Sequence, residues 1–133
     1  MSLDILFIHP NASKKIYQEL SDKHSALEPP IWAGMLANHC RSKNFNVSIL
    51  DCEVEQLDYV NSAKKIKEIN PRIACFVVYG QQPSASSQNM EGAVAASEEL
   101  KKLEPSIVTL FVGGHVSALP RETLSQEKSI DIN

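Results

Sequence analysis

Short apolar runs and helically spaced stretches alternate along the chain, and that alternation leaves few folds open. Ile5-Leu6-Phe7-Ile8 reads as a buried strand closed by the turn residues His9-Pro10-Asn11. Residues 11–28 are polar, have no firm period, and read as a long loop with at most a helical turn. Pro29-Pro30 opens a helix, because proline is tolerated in a first turn; Ile31, Met35, Leu36, His39 and Cys40 recur on one face of it through about Ser42. Asn46–Asp51 is a second strand. Val60, Ala63, Ile66 and Ile69 place a helix over Tyr59–Ile69, stopped by Asn70-Pro71. Ile73–Tyr79 is the most strand-like run in the chain. A polar loop follows from Gly80 to Ser86, and Ser87 caps the next helix, whose Met90, Val94, Ser97 and Leu100 fall on one stripe. Ile107–Val112 is a fourth strand closed by Gly113-Gly114, a short helix lies around Arg121–Ser125, and Ser129–Asn133 looks like a fifth strand cut short.

Strand followed by helix, repeated, predicts an α/β fold with a parallel sheet and helices on both faces. With right-handed crossovers, the expectation for residues 1–133 is one Rossmann-like (flavodoxin-like) doubly wound domain. It should have about five strands in the order 2-1-3-4-5. In such sheets ligands sit outside the carboxyl ends of the strands, where the strand order reverses. That rule nominates three loops: Pro10 onward, Gly80–Ser87 and Gly113–Pro120.

The chemistry of those loops is narrow. Gln81, Gln82, Ser84 and Ser86 offer amides and hydroxyls without charge, and Asn11 adds another amide. Such groups suit a neutral, amide-rich ligand, or a phosphate at a helix start. Gly113 and Gly114 let a ligand approach the backbone closely. Ala93, Ala95 and Ala96 make one helix slim, for tight packing or for a slot beside the sheet. His9 and His115 fall at the carboxyl edge, but with Cys52 they match no zinc spacing, so no protein-ligated metal is expected. Tyr79 stands where a receiver domain needs aspartate, and neither a GxGxxG turn nor a P-loop is present. No nucleophile or acid/base pair falls in the three loops, so no catalytic residue is expected in this chain. A net charge of -3 without a basic face argues against nucleic acid. No apolar run approaches the roughly 20 residues that span a bilayer. Three cysteines without a CxxC pair read as a reducing, cytoplasmic setting.

Three segments carry a family resemblance. Pro29-Pro30-Ile31-Trp32-Ala33-Gly34-Met35-Leu36-Ala37 resembles the P-P-x-x-x-G-x-L-A segment of cobalamin-binding domains fused to radical S-adenosylmethionine enzymes. Phe45–Asp51 resembles the strand G-x-x-V-x-x-x-D that follows it, with Phe45-Asn46 where that family often has glycine and its successor. Gly113-Gly114-His115-Val116-Ser117-Ala118-Leu119-Pro120-Arg121-Glu122-Thr123-Leu124 is similar to G-G-x-H-x-x-A-L-P-E-x-x-L, with His115 directly after the glycines.

The resemblance implies cobalamin on the carboxyl edge, its nucleotide tail admitted by Gly113 and Gly114, and its corrin amides or phosphate met by Asn11, Gln81, Gln82, Ser84, Ser86 and His115. It implies a methyltransferase that uses methylcobalamin, although some relatives use cobalamin for ring rearrangement. The D-x-H-x-x-G motif, whose histidine binds cobalt in other cobalamin domains, is absent; Asp22–Leu27, with His24, imitates it without the glycine. Cobalamin without histidine on cobalt is therefore expected. The C-x-x-x-C-x-x-C motif is absent as well, so a 4Fe-4S cluster and S-adenosylmethionine would belong to a radical domain following Asn133. The competing expectation is a stand-alone flavodoxin-like module that binds another nucleotide or a protein partner.

Overall fold

A computed structural model of the chain describes residues 2–11, 29–79 and 83–133, with the backbone alone for 83–88. Four parallel strands, β1 (Ile5–His9), β2 (Val47–Asp51), β3 (Ile73–Val78) and β4 (Val108–Gly113), form one sheet in the order β2-β1-β3-β4. Among the described residues, five helices accompany them: α1 (Ile31–Ser42), α2 (Tyr59–Ile69), α3 (Pro83–Leu103), α4 (Gly114–Ala118) and α5 (Pro120–Gln126). The expected doubly wound arrangement is present. The last residues enter the fifth position beside β4 as a single bridge, Leu110 to Ile132, rather than as a strand. Thr109 and Phe111 hold both backbone groups of Ile132 there.

Residue alternation sorts the core into two layers. Leu6, Ile8, Ala74, Phe76 and Val78 point to one face and meet Ala63 and Ile66 of α2 and Ala93, Ala96 and Leu100 of α3. Phe7, Cys75 and Val77 point to the other face and meet Ala33 and Ala37 of α1. Burial raises the Cys75 thiol to about 12, as expected of a cysteine used as a small core residue.

Three expectations are corrected. First, α1 buries the stripe Ala33, Leu36, Ala37 and Cys40, not one built on Ile31 and Met35. Ile31 and Met35 are 61% and 59% exposed. The reason is close approach: two alanines bring the helix axis near the sheet, and the bulkier side chains turn outward. Second, α3 begins at Pro83, not at Ser87, so Ser84 and Ser86 belong to its first turns rather than to a loop. Proline's fixed φ suits the first helical position, where its missing N–H costs nothing. Third, the segment after β4 is not a loop, because α4 starts at Gly114 and its Val116 is buried in the core.

A polar latch ties the end of the chain to β4 and α3. The Thr109 hydroxyl donates to the Ser129 carbonyl at 2.5 Å, and the Ser97 and Ser129 hydroxyls share a hydrogen bond of 2.5 Å. Asp131 accepts from the Thr109 backbone N–H and from Lys101 Nζ, which also donates to the Ile107 carbonyl. Partial burial works to raise the Asp131 carboxyl, but the Lys101 and Thr109 hydrogen bonds outweigh it and hold it below its usual value.

Candidate ligand site at the carboxyl edge

Strand order reverses between β1 and β3: α1 leaves β1 over one face, while α2 and α3 flank β3 on the other. The residues just past those strand ends are Pro10, Asn11 and Tyr79, none of them charged. Tyr79 is half-buried, and its ring stacks on Trp32 in the first turn of α1, with centroids 4.9 Å apart and planes 22° apart. Trp32 remains 52% exposed, so one side of this aromatic pair faces outward at the switch point. Asn89 of α3 donates to the Tyr79 carbonyl at 3.1 Å, which fixes the chain where β3 ends. Asn11 donates through Nδ2 to the Leu57 carbonyl at 3.2 Å, anchoring the exit from β1.

Gly113 ends β4 in a conformation only glycine adopts readily, φ 147° and ψ -179°. A Cβ placed there would lie 1.9 Å from the Val78 carbonyl oxygen. The requirement for glycine at this position therefore comes from the neighbouring strand's backbone as well as from any ligand. Gly114 is exposed at the start of α4, and His115 follows it. His115 borders a groove of about 470 Å³ between α3 and α4–α5, together with Val94, Ala95 and Thr123 and the carboxylates of Glu91 and Glu98. Ala93 and Ala96, by contrast, are packed against the sheet, so tight packing is what those two alanines serve. A much smaller cleft, about 10 Å³, lies among Pro10, Asn11, Cys52, Ser62 and Gly92.

Of the residues nominated from sequence, Asn11, Gly113, Gly114 and His115 do fall at the carboxyl edge. Ser84 and Ser86 lie in the first turns of α3, and their side chains are outside the described residues, as are Gln81 and Gln82. His24 is also outside them, and His39 is exposed on α1. Sequence reasoning missed the Trp32–Tyr79 stack; the signal was a tryptophan next to a helix-opening proline pair and a tyrosine ending the best strand. Sequence also paired His9 with Cys52, whereas Cys52 is buried in the core with its thiol pushed up to about 11. His9 Nε2 instead meets Glu53 Oε2 at 2.9 Å. Among the described residues, no helix is long and apolar enough to cross a membrane.

A family model described as the B12 binding domain matches residues 22–132. No curated protein and no solved structure matches the chain.

Proposed function

Because the chain belongs to the B12-binding domain family, we propose that it seats cobalamin on the carboxyl edge, across the β1–β3 switch point, as the cofactor module of a radical S-adenosylmethionine methyltransferase. The observation that carries the placement is the uncharged character of the described residues past β1 and β3, Pro10, Asn11 and the Trp32-stacked Tyr79, together with Gly113-Gly114 at the end of β4. A corrin is wide, largely apolar on its faces and fringed with amides. It asks for aromatic and backbone surface, with neutral donors and acceptors around it, and not for charge. The residues present fit that demand. Asn11, Gly113, Gly114 and His115 would hold it from the described part of the edge, and Gln81, Gln82, Ser84 and Ser86 from the β3–α3 connection.

Bound methylcobalamin supplies a transferable methyl group. The protein's own part is to seat the macrocycle, keep it oriented by the rigid strand ends, and leave its outer face open. The groove beside His115 has room for an aromatic base with its sugar, and its Glu91 and Glu98 make it a poor place for a phosphate. On this reading Gly113 and Gly114 would admit the nucleotide tail, and Val94, Ala95 and Thr123 of the groove would hold its base. The radical-enzyme reading is supported by Pro29–Ala37 and Gly113–Leu124, which match that branch of the family more closely than the D-x-H-x-x-G branch. A radical domain holding a 4Fe-4S cluster and S-adenosylmethionine would complete the reaction.

Incubation with hydroxocobalamin, followed by desalting, tests the binding. The expected result is retained corrin absorbance near one equivalent per chain, with no histidine-on spectrum. Retention of flavin mononucleotide instead, in a parallel incubation, would move the domain to the flavodoxin-like alternative.

A further inference from the structure

We propose that His9, Asp51 and Glu53 form a site for a divalent transition-metal ion, with zinc the best match, at the carboxyl ends of β1 and β2. The parallel register sets His9 directly opposite Asp51. Pairing continues one residue further, because the Cys52 N–H donates to the His9 carbonyl at 2.9 Å. The turn that follows is fixed from several sides. Asp51 Oδ1 accepts from the N–H groups of Glu53 and Val54, and the Leu57 N–H returns to the Cys52 carbonyl. Three donors are thus carried on backbone that does not need to be ordered by a metal.

One ligand atom from each residue, an imidazole nitrogen and two carboxylate oxygens, lies within 4.8 Å of the others. A tetrahedral ion with bonds of about 2.0–2.1 Å holds its donors roughly 3.3 Å apart. The 2.9 Å contact between His9 and Glu53 is already at that scale, and a modest turn of the Asp51 carboxylate closes the third edge. Charge favours a cation here. Among the described residues, no lysine or arginine pairs with Asp51 or Glu53, and the His9 imidazole pairs with Glu53. The His9 and Glu53 side chains are 20% and 31% exposed, so an ion can enter from solvent.

The donor set chooses the metal. One nitrogen and two oxygens, without sulfur, exclude a copper(I)-type site and favour zinc over manganese or magnesium by the usual affinity order. Cys52 lies between the two acids in sequence, but its side chain is buried in the core cluster, so it stays out of the set. Three protein ligands leave a position for water. The site lies at the carboxyl ends of β1 and β2, on the β2 side of the switch point, and its argument does not use the cobalamin reading.

Isothermal titration of the 133-residue chain, free of cobalamin, with zinc chloride tests this. The expected result is one zinc per chain at micromolar concentration, weakened about tenfold or more in both Glu53→Gln and Asp51→Asn. The His9 imidazole resonance should shift as zinc is added. Absence of stoichiometric binding would overturn the proposal, as would unchanged affinity in Glu53→Gln. If a variant fails to fold, the wild-type titration still decides, because zinc that leaves the His9 resonance unmoved is bound elsewhere.

Discussion

Gly113→Ala will lower the midpoint of thermal unfolding by roughly 10–20 °C, whereas Gly114→Ala will leave it nearly unchanged. At Gly113 two costs add. The backbone sits at φ 147°, a region that essentially only glycine occupies, and the new methyl would meet the Val78 carbonyl oxygen at 1.9 Å. That oxygen belongs to the central strand β3, which is hydrogen-bonded on both sides and cannot move away without disturbing β1 or β4. Strain and overpacking together amount to about 4 kcal/mol, a large share of the about 5–15 kcal/mol that holds a typical domain folded. Gly114 is exposed, lies at a helix start and has no left-handed backbone. Alanine there reduces unfolded-state freedom and is tolerated. Thermal unfolding followed by circular dichroism measures both variants. A mild effect at Gly113 would show that β4 does not end against Val78 in this way.

Thr109→Val will cost about 2 kcal/mol, and Thr109→Ser will recover most of it. Thr109 is fully buried. Its hydroxyl donates to the Ser129 carbonyl and accepts from the Asp131 N–H. Valine keeps the shape and removes both bonds; the Asp131 N–H keeps the Thr109 carbonyl, but the buried Ser129 carbonyl loses its hydroxyl donor. Leaving buried groups unpaired costs more than the bonds themselves contribute. The loss falls on the segment that places Ile132 beside β4, so amide exchange of Phe111 and Ile132 should accelerate with the drop in stability. Equal stability of valine and wild type would mean that packing alone holds the chain end.

Parts of this fold are legible in sequence because local signals agree with each other. Helix α2 is the clearest example. Asp58 caps its start by accepting from the Asn61 N–H at 2.7 Å, Asn70 ends it in a left-handed conformation, and Pro71 blocks continuation. Its core side, Ala63 and Ile66, follows from spacing alone. Strand β3 is legible because no residue in it is polar.

Helix α1 misleads for a physical reason. A hydrophobic residue is read as an inward residue, yet small alanines decide which face can approach the sheet. The large side chains of Ile31, Trp32 and Met35 then remain on the surface. The start of α3 is hidden because serines and glutamines after Gly80 look like loop, and only Pro83 marks the first turn.

Site residues divide the same way. Gly113 and Gly114 stand out as an adjacent pair after a strand, and Asn11 follows a strand end directly. The juxtaposition of His9 with Asp51 and Glu53 is invisible along the chain, because it arises from the register of two strands separated by a helix. The same holds for Trp32 and Tyr79, which belong to different βα units. Contacts between strand ends require topology before chemistry.

The central claim is that cobalamin rests on this edge, against the aromatic pair. Trp32 is the chain's sole tryptophan, so a proton–nitrogen correlation spectrum contains one indole N–H signal. Titration with hydroxocobalamin, which is diamagnetic, should move that signal in step with corrin retention and saturate near one equivalent. Corrin that binds stoichiometrically while the indole signal stays in place would contradict the account.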